Sequence, residues 1–162
     1  MLNRAWMKGV AAVLAAAGLI GVWMLRSSLD RPAQNAVALQ VEADCDSAQR
    51  TCRARGDDLE FELRLGPPVQ PMQSFEIALR SLRGRLVMDR GADARVEVQF
   101  QMRAMDMGIN RYRLIADAGG VWRGRAMLPV CTAGRSDWIA QVDISAGGRR
   151  WQAELPFTVV RP

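Results

Sequence analysis

Residues 102–110 read MRAMDMGIN. Met105 and Met107 flank Asp106, and in an extended segment residues two apart project to the same side. Thioether and thiolate sulfur are soft donors that select Cu(I) over Zn²⁺ or Mg²⁺. Cys131, in the stretch LPVCTAGRSDW, offers a thiolate. Met105, Met107 and Cys131 together make a chemically coherent Cu(I) site. A packing role competes with it, because methionine fills irregular core gaps and unpaired cysteine is among the most buried residue types. Met102 continues the alternation of the preceding segment and is expected in the core.

The 162 residues contain no histidine. That excludes a Ser-His-Asp triad, a Cys-His pair, an HExxH zinc site and an imidazole pH switch. Asp57, Asp58, Glu60 and Glu62 are the closest acids. Nothing near them supplies the apolar pocket needed to raise one carboxyl pKa, so they read as solvent face. RGRAMLPVCTAGRS lacks the form of a phosphate-binding loop. With no nucleophile-and-base pair, the expectation is a non-enzyme. Cys45 and Cys52 enclose DSAQRT, a turn-type spacer. In an oxidising compartment such a pair forms a disulfide, across a hairpin short enough for the ~4.4–6.8 Å Cα separation that the bond needs. A loop this short contributes about 2 kcal/mol in the chain-entropy picture. The redox-active alternative, CxxC at a helix start, is absent.

These side chains need a compartment and a scaffold. Gly9 to Leu25 (GVAAVLAAAGLIGVWML) carries no charge, with Arg4 and Lys8 before it and Arg26 after it. A helix of that length spans roughly 25 Å, close to a hydrocarbon core, and Trp6 and Trp23 lie near its ends, where tryptophan favours the interface. No small-x-small cleavage site follows closely. Residues 1–26 are therefore expected to be one uncleaved transmembrane anchor and 27–35 a polar linker. Residues 36–162 form the domain outside the cytoplasm. The net charge of +5 then divides unevenly: three cations and no anion precede residue 27, which leaves the exported part at +2. Arg80, Arg83, Arg85 and Arg90 are the densest basic group and have no aromatic among them. A nucleic-acid binder would interleave the two, so no nucleic-acid partner is expected.

From residue 36 the hydrophobic period is two. Leu59-Phe61-Leu63-Leu65, Phe75-Ile77-Leu79, Val96-Val98-Phe100-Met102, Tyr112-Leu114-Ala116, Trp122-Gly124-Ala126-Leu128 and Trp138-Ala140-Val142-Ile144 alternate with polar residues. That is the pattern of half-buried antiparallel strands. Ala36–Val41 and Trp151–Val160 read as further strands. Ala118-Gly119-Gly120 and Gly147-Gly148 are hairpin turns. Seven to nine such strands predict an all-β fold, an immunoglobulin-like antiparallel sandwich, with a small closed barrel as the alternative. Trp122, Trp138 and Trp151 fall on apolar positions of three successive strands and are expected to pack between the sheets.

The stretches MDMGINRYRL, GGVWRGRAMLPVCTAGRSDWIAQV and LPFTVV resemble the C-terminal half of membrane-anchored immunoglobulin-like domains of the YtkA/FixH type. Those carry an M-x-MG element, then G-x-[YW]-x-G, a tryptophan-bearing strand and a terminal F-x-V. The likeness covers roughly residues 70–160. The chain is also similar to bacterial anchored proteins with an MG-x-N…LPVC…W pattern. The resemblance implies copper handling or haem-copper oxidase assembly, on a single-pass protein of the bacterial inner membrane with its C-terminal domain in the periplasm. It implies the lipid bilayer and a membrane protein complex as partners. Many copper-handling domains add histidine beside the methionines, and this chain has none. Its site would be all-sulfur, or sulfur plus carboxylate, and suited to Cu(I). The other reading is a purely structural or interaction subunit without metal. The oligomeric state is not legible in the sequence.

Overall fold

The computed structural model describes residues 36–84, 94–103, 105, 108–130 and 135–159. The expected anchor (1–26) and linker (27–35), and also Met107 and Cys131, lie outside these residues. No helix of the described residues is long and apolar enough to cross a membrane.

The described chain is all-β. Its strands are β1 (Val37–Ala38), β2 (Gln40–Val41), β3 (Cys52–Arg55), β4 (Glu60–Leu65), β5 (Ser74–Arg83), β6 (Arg95–Met102), β7 (Arg111–Ala116), β8 (Val121–Met127), β9 (Asp137–Ala146) and β10 (Arg149–Thr158). The long strands coincide with the period-two segments, because alternating side chains bury one face and solvate the other. In β6, for example, Val96, Val98, Phe100 and Met102 are buried and the residues between them are not.

One ladder, in the order β1-β10-β9-β6-β7-β8-β5-β4-β3-β2, nearly closes into a barrel. Two places let it turn. In β7, Arg111–Leu114 pair with β6, whereas Ile115 and Ala116 pair with β8. The strand thus passes from one sheet to the other. The segment 37–41 does the same at the opposite margin: β1 pairs with β10 and β2 pairs with β3. Leu39 sits between them, buried, with its N–H donating to the Gln152 carbonyl at 2.8 Å. Sheet 1 is then β1-β10-β9-β6 with the first part of β7, and sheet 2 is the end of β7 with β8-β5-β4-β3-β2.

Two expectations change here. Ala36–Val41 is not one strand but two short ones, because it serves two sheets. β1 also runs parallel to β10, so the ladder is mixed and not purely antiparallel.

The core lies between the sheets. Phe100 is its centre, with Phe75, Phe157 and Tyr112 rings at 5.5, 5.7 and 5.9 Å. Burial of each such side chain contributes about 1.5–3 kcal/mol. Trp122, Trp138 and Trp151 are all buried, as alternation requires.

The two cysteines are bonded, with Cα atoms 5.8 Å apart. The loop they enclose seals the seam between the sheets. Ser47 is fully buried; its N–H donates to the Pro156 carbonyl of β10 at 3.1 Å, and its carbonyl accepts from the Leu65 N–H of β4 at 2.8 Å. The Asp46 carboxylate accepts from the Ala48 and Thr158 N–H groups, each at 3.0 Å. The bridged loop therefore laces sheet 1 to sheet 2 where neither strand edge has a strand partner.

Candidate functional site

Register puts one set of chain ends together. Met102 ends β6 and lies opposite Trp138, which begins β9. Met127 ends β8 and lies opposite Ser74, which begins β5. The connections β4–β5, β6–β7 and β8–β9 therefore open at one end of the barrel, here the methionine end. The sequence segments carrying the candidate sulfur donors belong to two of these connections.

Met102 is buried in the core, as expected. Met105 forms a bridge back to Met102 and packs partly buried against the core. Met107 and Cys131 fall outside the described residues. Among the described residues, no group of three or more His, Cys, Asp and Glu side chains is gathered to hold a metal ion.

The surroundings are unusually apolar for a rim. Ile109 is 93% exposed, Met72 62%, Val130 57% and Met127 43%. Met72 adopts φ 61°, a left-handed conformation uncommon for a side-chain-bearing residue. It is held there by its N–H donating to the Leu128 carbonyl at 2.9 Å. Tyr112 bridges the gap where β7 leaves β8: its hydroxyl donates to the Met127 carbonyl at 2.8 Å and accepts from the Met127 N–H at 3.2 Å. Tyr112 thereby fixes the end of β8 from below.

Asn110 is the residue that sequence reasoning missed. It points inward at the start of β7, 9% exposed, and its backbone carbonyl accepts from Phe100 N–H at 2.9 Å. Its side-chain Nδ2 has no hydrogen-bond partner among the described residues. A buried unpaired amide costs about 1–3 kcal/mol, and such a group in a native fold calls for an explanation. The available signal was its place in the MGIN turn.

Asp58 accepts from the buried Trp151 indole N–H at 3.0 Å, whereas Glu60 and Glu62 sit in ion pairs on the outer side of β4. Glu62 accepts from Arg53 at 2.7 Å and Glu60 from Arg55 at 3.4 Å. Pairing with the Glu62 carboxylate raises the Arg53 pKa above its ordinary value. A groove of about 530 Å³, lined by Gln40, Glu42, Arg50 and Arg53 among others, lies along β2 and β3. Its charges are satisfied in pairs such as Arg50–Glu42 at 3.2 Å.

In comparisons with known proteins, the chain matches no protein-family model, no curated protein and no solved structure.

Proposed function

We propose that this chain is a membrane-tethered extracytoplasmic binding module that works from its methionine end, with Cu(I) as the ligand in haem-copper oxidase assembly or related copper handling. The observation that carries the reading is convergence. Connections β6–β7 and β8–β9, distant in sequence, open side by side, and between them they hold Met105, Met107 and Cys131. An all-sulfur donor set without histidine selects the reduced, soft ion.

An immunoglobulin-like sandwich is the matching architecture. The order β4-β5-β8-β7 in one sheet and β10-β9-β6-β7 in the other, with a short first strand parallel to the last, supports it. The apolar run 9–25 supports the single-pass anchor and the periplasmic placement, and the oxidised Cys45–Cys52 pair agrees with that compartment.

Anaerobic Cu(I) titration of the full chain tests the metal. One ion per chain is expected, with binding abolished in the Met105→Ala/Met107→Ala/Cys131→Ser variant. Unchanged affinity in that variant rules the site out. The second reading, an interaction subunit without metal, is favoured by the exposed Ile109, Met72 and Val130. It predicts a membrane complex that co-purifies with the chain and survives copper chelation.

A further inference from the structure

The barrel has two seams, and they are finished differently. At the seam between β10 and β4 the Cys45–Cys52 loop covers the strand edges. At the other, β7 passes from sheet 1 to sheet 2, and its ladder with β8 stops at Ile115↔Arg123. Nearer the methionine end β7 pairs with β6 alone, through Arg111–Leu114.

Register fixes which backbone groups this leaves over. In an antiparallel ladder, opposed residues alternate between exchanging both N–H···O bonds and exchanging none. Phe100 N–H donates to the Asn110 carbonyl at 2.9 Å, so Asn110, Tyr112 and Leu114 are the residues whose main chain faces β6. The N–H and C=O groups of Arg111 and Arg113 therefore point away from β6, toward the seam. They have no ladder partner among the described residues. On β8 the Met127 main chain also points there, and the Tyr112 hydroxyl takes both of its groups. Two residues of β7 thus present the row of donors and acceptors that one further strand takes up.

The side chains beside that row have a definite chemistry. Arg111, Arg113 and Ile115 are exposed on β7, and Ile109 continues the alternation toward the methionine end. Arg113 lies opposite Glu97 on β6, but Glu97 is held by Arg95 at 2.6 Å and by Arg111 at 3.7 Å. Neither Arg113 nor Arg125, across the seam on β8, makes an ion pair among the described residues. A second copy of this chain is a poor occupant. Two-fold antiparallel pairing of β7 with itself sets arginine against arginine, and like charges directly opposite are destabilising. A carboxylate at each of those positions reverses the sign.

We propose that the free edge of β7 binds an extended acidic segment of a partner protein as an added antiparallel strand. The segment carries carboxylates two residues apart, opposite Arg113 and Arg111, and a large apolar residue two positions further on, over Ile109. Main-chain bonds to Arg111 and Arg113 give affinity, and the alternate side chains give specificity. The added strand runs out toward the methionine end, because β8 already occupies the edge at Ile115 and Ala116. This goes beyond the copper reading and rests on neither the metal nor the tether.

The probe is a synthetic peptide with Glu-Val-Glu-Val-Leu in a threonine-rich frame, added to the full chain in mild detergent. Hydrogen exchange at the Arg111 and Arg113 amides should slow about tenfold, while the Tyr112 and Leu114 amides, already bonded to β6, should change far less. A peptide of the same composition with its glutamates adjacent should bind about tenfold more weakly. Arg111→Glu with Arg113→Glu should abolish binding of the acidic peptide and confer binding of its Lys-Val-Lys-Val-Leu counterpart. Arg113→Pro removes the outward donor without breaking the β6 ladder and should also abolish binding. If that variant fails to fold, the charge exchange decides alone.

Equal binding of the two acidic peptides overturns the proposal, and so does binding without protection at Arg111 and Arg113. Protection of these amides that grows with chain concentration in the absence of peptide makes the occupant a second copy, and the proposal fails. No binding of any peptide sinks the added strand and leaves the Cu(I) titration to judge the copper reading separately.

Discussion

The two ends of the barrel are built on opposite terms. At the end away from the methionines, the described turns at 56–59 and 117–121 are finished with polar contacts. The Asp117 carboxylate accepts from Gly119 N–H at 2.8 Å, Val121 N–H at 3.0 Å and Arg123 at 2.9 Å. Gly120, Gly147 and Gly148 supply the positive φ that its hairpins demand. Trp151 is buried there with its indole N–H donating to Asp58 at 3.0 Å, while Arg149 pairs with Asp58 and lies over the indole ring. At the methionine end, Met72 holds a left-handed backbone, four large apolar side chains meet solvent, and a buried amide goes unpaired. The far end is closed for stability. The methionine end is closed where the Cys45–Cys52 loop laces β4 to β10, and at Met72, Ile109, Met127 and Val130 it departs from what stability favours; folds carry such departures where they work.

The sharpest blow to that contrast falls on the closed end. Trp151→Ala removes a buried aromatic and its bond to Asp58, and should cost about 3–5 kcal/mol in chemical unfolding. The methionine end should keep its ligand behaviour at temperatures where the variant stays folded. A loss near 1 kcal/mol instead would mean that this end is not the better-built one.

The disulfide comes next. Cys45→Ser with Cys52→Ser should cost about 2 kcal/mol. The damage should be local, with hydrogen exchange at the Ser47 and Leu65 amides rising well before exchange in β9. Uniform acceleration would show that the loop is not the clamp of the seam.

Asn110→Leu reverses the sign. Replacing an unpaired buried amide with an apolar group of similar size should stabilise the domain by about 1 kcal/mol, read as a higher midpoint of thermal unfolding, while weakening whatever the methionine end binds. Destabilisation would mean that the amide has a partner in solution.

The smallest effect is one of pH. The hydrogen bond from Arg123, with those from the Val121 and Gly119 amides, holds the Asp117 carboxyl below its usual range. The folded pKa is depressed, so the stabilisation is complete above the ordinary aspartate value and is lost as pH falls through the lowered one. Asp117→Asn should flatten the acid limb of the melting-temperature profile and leave neutral pH nearly untouched. An unaltered acid limb would remove Asp117 from the closing of that turn.

How much of this was legible beforehand follows from the range of each interaction. Period-two runs such as Val96-Val98-Phe100-Met102 declare a strand because burial of one face is a local property of the chain. The same holds for the glycine turns, for Trp122, Trp138 and Trp151 in the core, and for the Cys45–Cys52 bond across seven positions. The Ser47 clamp was not legible, since its partners Leu65 and Pro156 are 18 and 109 residues away. The crossing of 37–41 between two sheets was hidden for a similar reason: five residues carry no periodicity long enough to show a split.

Sequence alone thus determined the all-β class, the long strands and the disulfide, because these depend on residue type and near-neighbour spacing. Tertiary structure decided which connections share an end, which arginines pair with which carboxylates, and that the Asn110 amide is buried with no partner among the described residues. Each of those is a matter of register between strands far apart in the chain. Register is settled only when the two faces of the core close on each other.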